Sequence, residues 1–289
     1  MSVQITTAMV KQYTGNVEML CQQKGSRLRM AVREEGVTGK EAYFDQIGPT
    51  TARKRTSRHA DTPLVSTPHA RRRVGMADYD WADLIDKFDD KKILISPESP
   101  YAMNAAWAMG RAMDDAIIAA ASGTAYTGEE GSTSTAFDDT NNRIAHGSTN
   151  LTLSKLLSTK EIFDGWDVDE DEPRYFILNS TALKNLLNTT EVKSSDYNSI
   201  KALVKGEIDT FLGFKFIRSE RLAVPATTTR CCLAWAKTGM LLGVGNNVVT
   251  DIGPRRDKNM ATQVYVGMSI GATRMDEKKV VEVYCWEGA

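Results

Sequence analysis

The chain has 289 residues, of which 42% are hydrophobic and 25% charged, and its formal net charge is −1. That length holds one large domain or two modest ones, and the near-zero charge excludes binding of nucleic acid by bulk electrostatics. The four cysteines, Cys21, Cys231, Cys232 and Cys285, include no C-x-x-C pair and read as reduced, mostly buried thiols of a cytosolic product.

The opening MSVQITTAMVKQYTGN has no apolar h-region, so no secretory signal is expected. Val10, Tyr13, Val17 and Leu20 fall at helical spacing and predict a weak helix ending at Gly25. LRMAVREE then alternates apolar and charged residues, as a two-faced strand does. Tyr43, Phe44 and Ile47 offer an apolar contact point. From Thr50 to Gly75 seven basic residues, Arg53, Lys54, Arg55, Arg58, Arg71, Arg72 and Arg73, stand against Asp61 alone. Pro49, Pro63 and Pro68 exclude a helix here. With so few core-sized side chains the segment cannot bury itself. It reads as a disordered linker or as an arm completed by another surface. An extended hairpin built from it would reach roughly 60 Å, at ~3.3 Å per residue over ~20 residues.

Trp81, Leu84, Ile85 and Phe88 predict a short amphipathic helix over Asp78–Asp90. Ile93–Ile95 reads as a buried strand. The stretch Ser96–Gly123, SPESPYAMNAAWAMGRAMDDAIIAAASG, is the one around which the chain is organised. It predicts a long helix, with Ser99 as N-cap, Pro100 at the first helical position and Gly123 as the stop. Ala102, Ala105, Ala106, Met109, Met113, Ala116, Ile117 and Ala120 recur at three- and four-residue spacing. Asn104, Arg111, Asp114 and Asp115 exclude a membrane span.

Thr124–Asn150 is polar and glycine-rich and reads as an irregular surface excursion with a poor hairpin. A helix is expected over Leu151–Phe163, ended by Gly165, before the acidic residues Asp167, Asp169, Glu170, Asp171 and Glu172. From Pro173 the pattern is α/β. Tyr175–Leu178 reads as a strand, Asn179 or Ser180 as the cap of a helix carrying Leu183, Leu186 and Leu187, and Tyr197–Val204 as a second helix. Strands follow at Thr210–Ser219, where Gly213 suggests a bulge, then at Arg230–Trp235 and Asn247–Ile252, with a helical turn through Met240. Thr262–Thr273 and Val280–Trp286 read as a closing antiparallel pair turned at Asp276-Glu277-Lys278.

Short chemical motifs are missing. There is no G-x-x-x-x-G-K and no G-x-G-x-x-G, and GVGNNV at Gly243–Val248 lacks the third glycine. Asp167-Val168-Asp169-Glu170-Asp171 begins like a calcium loop, but Glu172 stands at position six and Leu178 at position twelve. His59, His69 and His146 have no cysteine or paired carboxylate at ligand spacing. No catalytic residue, cofactor or metal is therefore expected. The basic segment and the acidic run invite a different mechanism, in which the arm of one copy meets complementary charge on a neighbouring copy.

At this point the chain resembles the major capsid proteins of tailed bacteriophages, with the α+β Hong Kong 97 capsid fold. The most specific stretch is FILNSTALKNLLNTTEVKSSDYNSIKALVKGEIDTFLGFKFIRSERL, Phe176–Leu222, with its Ser195-Asp196-Tyr197 run and Phe211-Leu212-Gly213-Phe214. The ending GATRMDEKKVVEVYCWE, Gly271–Glu287, is similar to the closing strands of those proteins. The resemblance implies an N-terminal arm over 1–26 and an extended loop over 27–76. A peripheral domain over 77–172 would contain the spine helix 99–122. An axial domain over 173–261 and C-terminal strands of the peripheral domain over 262–289 would follow. It implies hexamers and pentamers of this chain, closed into an icosahedral head around double-stranded DNA that is touched weakly and non-specifically. A separate scaffolding protein without large N-terminal cleavage, a portal protein, and assembly in the host cytoplasm complete that expectation; no membrane is involved. An encapsulin-like compartment shell is the alternative, distinguished by protein cargo in place of DNA and a portal. A nucleic-acid binder working through residues 50–75 is a third reading, distinguished by a steeply salt-dependent titration of a monomer. The inter-subunit contacts are expected at the seven basic residues and at the acidic run. Reversal of Arg71, Arg72 and Arg73 to Glu is expected to stop assembly while leaving the monomer folded.

Overall fold

The computed structural model describes residues 21–59, 61–62, 64–85, 98–188 and 210–288. The expected helices at the N-terminus and at Tyr197–Val204, and the strand Ile93–Ile95, lie outside them. One helix, α1 (Glu98–Ser122), is the longest element. Its buried side is built from Ala105, Met109, Met113, Ile117, Ile118 and Ala121, at the spacing read from the sequence. It begins a residue before the expected cap, so Ser99 and Pro100 both lie in the first turn, where a proline costs no hydrogen bond. Gly123 continues the helical pattern by donating to Ala119 O at 2.9 Å.

Three sheets surround this spine. In the first the order is β1 (Arg33–Gly36), β12 (Met240–Arg255), β13 (Ala261–Arg274), β4 (Ala77–Ile85). Here α1 lies against β13 and β12. The second runs β7 (Arg143–Ile144), β14 (Val280–Trp286), β11 (Thr229–Ala236), β8 (Arg174–Leu178), β10 (Phe214–Arg218), β9 (Thr210–Phe211). Its strand β8 is buried at all five positions, as a central strand covered on both faces must be. The third sheet joins the hairpin β2 (Glu41–Ile47) and β3 (His69–Gly75) to β5 (Ala125–Thr127) and β6 (Thr133–Thr135). Helix α2 (Leu153–Gly165) is capped by the Thr152 hydroxyl, and α3 (Ser180–Asn188) by Asn179, whose Oδ1 accepts from Ala182 N at 2.9 Å. One continuous core joins α1 to the first two sheets. Trp235 sits fully buried within it and donates its indole N–H to Ala31 O at 2.9 Å.

Several expectations are corrected. Residues 77–85 form strand β4, not a helix. Tyr79, Trp81, Asp83 and Ile85 alternate with the exposed Asp78, Asp80, Ala82 and Leu84, and the strand pairs with β13 over nine positions. Trp81, Leu84 and Ile85 fit helical spacing as well, and tertiary pairing decides between the two periods. Residues 86–90 lie outside the described set. LRMAVREE is a 3-10 turn at Arg29–Ala31 followed by the short strand β1. Thr210–Ser219 is a hairpin rather than one bulged strand. Leu212 (φ 54°) and Gly213 (φ 83°) are both left-handed, the requirement of a two-residue primed turn. The closing segments β13 and β14 do not pair with each other; β13 joins β12 and β4, whereas β14 joins β11 and β7. The 3-10 turn Glu277–Lys279 between them carries the chain from one sheet to the next. Paired strands in the β2–β3 hairpin are seven residues long, roughly 23 Å at 3.3 Å per residue, and the chain continues beyond them through residues 48–68.

Candidate functional site

The hairpin runs in register from Glu41 opposite Gly75 to Ile47 opposite His69. Beyond it, described residues between 48 and 68 adopt no helix or strand and are almost all exposed. Leu64 is 93% exposed. Arg53, Lys54, Arg55 and Arg58 all face solvent; Arg55 bonds the carbonyls of Ser57, at 2.8 Å, and Arg58. Among the described residues none of these four cations makes a salt bridge to a carboxylate of its own chain.

Arg71, Arg72 and Arg73 are different, because strand alternation sends Arg72 to the opposite face from its neighbours. Arg71 Nε meets Asp45 Oδ1 at 2.6 Å, and that hydrogen bond holds the Asp45 carboxyl below its ordinary value. Arg73 pairs with Glu41 at 3.3 Å and lies over the Tyr126 ring at 4.6 Å. Arg72 is only 6% exposed. Its Nε donates to Met275 O at 3.0 Å and its Nη2 to Glu277 Oε1 at 2.6 Å. A carboxylate at position 72 would face Glu277 in a buried site, so the Arg71–Arg73 reversal would damage the chain itself; the expected intact monomer is corrected on this ground.

In the acidic run Asp167, Asp169, Glu170 and Asp171 are exposed, and Asp169 Oδ1 accepts from Asp171 N at 3.1 Å. Glu172 turns inward to Lys279 Nζ at 2.6 Å and to Thr238. Burial pushes the Glu172 carboxyl up, but these donors outweigh it and hold it below its ordinary value. The structure thus leaves four cations and four carboxylates exposed and uses Arg71, Arg72, Arg73 and Glu172 within the chain.

Three further groups were not singled out in the sequence. Asp114 is fully buried on α1 and fixes residues 23–28 to it. It accepts from Gln23 Nε2 (2.6 Å), Ser26 Oγ (2.5 Å), Arg27 N (3.1 Å) and Leu28 N (3.1 Å). Beside it Gly110 lets the backbone of Gly25 and Ser26 approach closely. The signal was present, since Asp114 stands three and four residues before the buried Ile117 and Ile118. Arg274 is fully buried and donates to Ala121 O at 2.8 Å and Gly123 O at 2.7 Å, satisfying the C-terminal carbonyls of α1. Lys155 donates to His146 O, Thr149 O and Tyr284 O at 2.8–2.9 Å, and burial pushes its ammonium below the usual lysine value. Neither Arg274 nor Lys155 had a local sequence signal, because most of their partners are backbone carbonyls, which any residue type supplies. Among the described residues no group of three or more His, Cys, Asp or Glu is placed to hold a metal ion, and no helix is long and apolar enough to cross a membrane.

A long spine helix is thus surrounded by three sheets, and the hairpin tip carries four cations without a salt bridge among the described residues. The capsid structure of cyanophage P-SCSP1u matches with a TM-score of 0.73 at 17% identity, covering 97% of this chain and 94% of that one. Mycobacterium phage Che8 matches with 0.71 at 13% identity, covering 95% and 97%. The acid-stable capsid of Helicobacter pylori bacteriophage KHP30 matches with 0.70 at 11% identity, covering 99% and 98%. A search of curated proteins finds no match. The family model described as "Phage capsid protein" matches residues 5–287, and the chain belongs to that family. It is a phage capsid protein of the Hong Kong 97 type, a structural component of the virion.

Proposed function

We propose that this chain assembles as hexamers and pentamers into an icosahedral phage head enclosing double-stranded DNA. In this reading the hairpin and its tip, within residues 27–76, lie on a neighbouring copy, and Arg53, Lys54, Arg55 and Arg58 face its Asp167, Asp169, Glu170 and Asp171. The observation that carries it is the exposed basic tip, which has no salt-bridge partner among the described residues of its own chain. Charge complementarity of this kind orients partners more than it adds affinity. A separate scaffolding protein and a portal are the proposed partners in the host cytoplasm, and residues 77–172 with 262–289, and 173–261, are the proposed peripheral and axial domains. With a net charge of −1, the chain suits a lining that contains DNA without holding it tightly. Sedimentation and negative-stain microscopy, with and without a co-expressed scaffolding candidate, test the proposal. Closed shells or hexamer-sized rings are expected. A dispersed monomer under every condition contradicts it.

A further inference from the structure

The Glu277 carboxylate is shared by two guanidinium groups from different parts of the fold. Arg72 Nη2, from the hairpin strand β3, donates to its Oε1 at 2.6 Å, and Arg274 Nε, from the end of β13, donates to its Oε2. Arg274 in turn holds the last carbonyls of α1. One carboxylate therefore joins the root of the hairpin to the end of the spine. The attachment is directional, because both guanidiniums are at least nine-tenths buried and each uses its own oxygen of Glu277. Arg72 Nη1 is buried without any partner, so this cation depends on Glu277 and on Met275 O. Gln46 Nε2, from the other hairpin strand, donates to the same Met275 O at 2.6 Å.

The hairpin is also tied to the chain that follows α1 by two β3–β5 register pairs, Arg72 with Thr127 and Arg73 with Tyr126, and the Glu277 node acts in addition to that ladder. Apolar support at the root is a small separate cluster of Val74, Leu241 and Met275, with Phe44 and Met76 packed on it. Beside the root lies a cleft of about 420 Å³, lined in part by Gln46, Gly48, Pro49 and Ala70. That cleft leaves the hairpin room to swing if the polar attachment is cut. We infer that Glu277 is a positioning residue: through Arg72 and Arg274 it sets the direction of the β2–β3 hairpin relative to the spine. Under the proposed assembly, that direction decides which surface of a neighbour the basic tip meets.

The test uses the free full-length chain, so its outcome does not depend on shells forming. With the exposed Cys21 replaced by Ser, spin labels go on Ile47→Cys in β2 and Ala119→Cys in α1, both at exposed positions. A control pair, Ala119→Cys with Glu161→Cys, spans the body. Pulsed electron paramagnetic resonance is expected to show one narrow hairpin-to-spine distance in the parent. In Glu277→Ala that distance shifts or broadens, while the control pair stays as in the parent. Should Glu277→Ala fail to fold, the triple variant Arg72→Leu/Arg274→Leu/Glu277→Leu removes all three charges of the node together and is expected to fold with the hairpin direction lost. A parent-like hairpin distance in either folded variant overturns the inference, because packing and the β3–β5 ladder would then set the angle. An equal change in the control pair overturns it as well, since the effect would be general loosening.

Discussion

Asp114 and Gly110 act together on one face of α1, the first by collecting donors from residues 23–28 and the second by leaving room for them. Truncating Asp114 to Ala strands buried donors, each costing about 1–3 kcal/mol. The expected outcome is a clear drop in melting temperature and faster tryptic cleavage near Lys24 and Arg27; unchanged values would contradict the account. Gly110→Ala gives a test of sign. In an open helix, alanine in place of glycine stabilises by about 1 kcal/mol. Here a Cβ would lie 2.5 Å from Gly25 Cα and Ser26 N, so calorimetry is expected to show a loss of about 1–3 kcal/mol instead. Gly110→Val, larger still, is expected to do worse. Glu172 supplies a pH dependence. Its folded value is depressed below the ordinary 4.5, so its contribution is complete above that value and disappears as pH falls through the lower folded one. The gap in melting temperature between the parent and Glu172→Gln should therefore be widest near neutrality and close in acid; a gap that is constant with pH would refute the role. The small-residue face of α1 and the Asn179 cap of α3 were legible because they depend on neighbours three and four residues away. Lys155, Arg274 and Glu277 were not, because each also bonds a group more than a hundred residues away, Tyr284 O, Ala121 O and Arg72 respectively, and the nearer partners follow no helical or strand period.

At the scale of elements, β4 shows where pattern reading fails. Trp81, Leu84 and Ile85 satisfy a helical period, yet nine register pairs with β13 place Leu84 on the opposite face from the other two. The same limit applies to β13 and β14, each of which reads correctly as a strand while its partner is invisible locally. The basic segment was legible as something that does not bury itself, but alternation along β3 divides its charges into those used in the chain and those left free. The free set makes the sharper variant. Reversing Arg53, Lys54, Arg55 and Arg58 to Glu should leave the melting temperature of the monomer close to the parent's, since exposed substitutions usually change stability by within about 0.5 kcal/mol, while particle yield collapses. Mixing that variant with one carrying Lys at Asp167, Asp169, Glu170 and Asp171 should restore some yield, with a salt dependence. Normal particles from the tip variant alone would remove the tip from the interface.

For the whole molecule, the decisive feature is a division of labour. One continuous core joins the spine and two sheets, and the hairpin is attached to it through a small apolar cluster, a polar node and a two-pair ladder to β5. Many modest contacts of such arms, closed by symmetry, add up to a stable shell although each is weak alone. The most direct measurement is an electron cryomicroscopy reconstruction of the assembled protein that resolves the path of residues 48–68. The account predicts closed icosahedral particles in which the basic tip of each copy lies against the acidic loop of another. Closed particles with the tip folded back on its own chain, or only open and irregular aggregates, would contradict it.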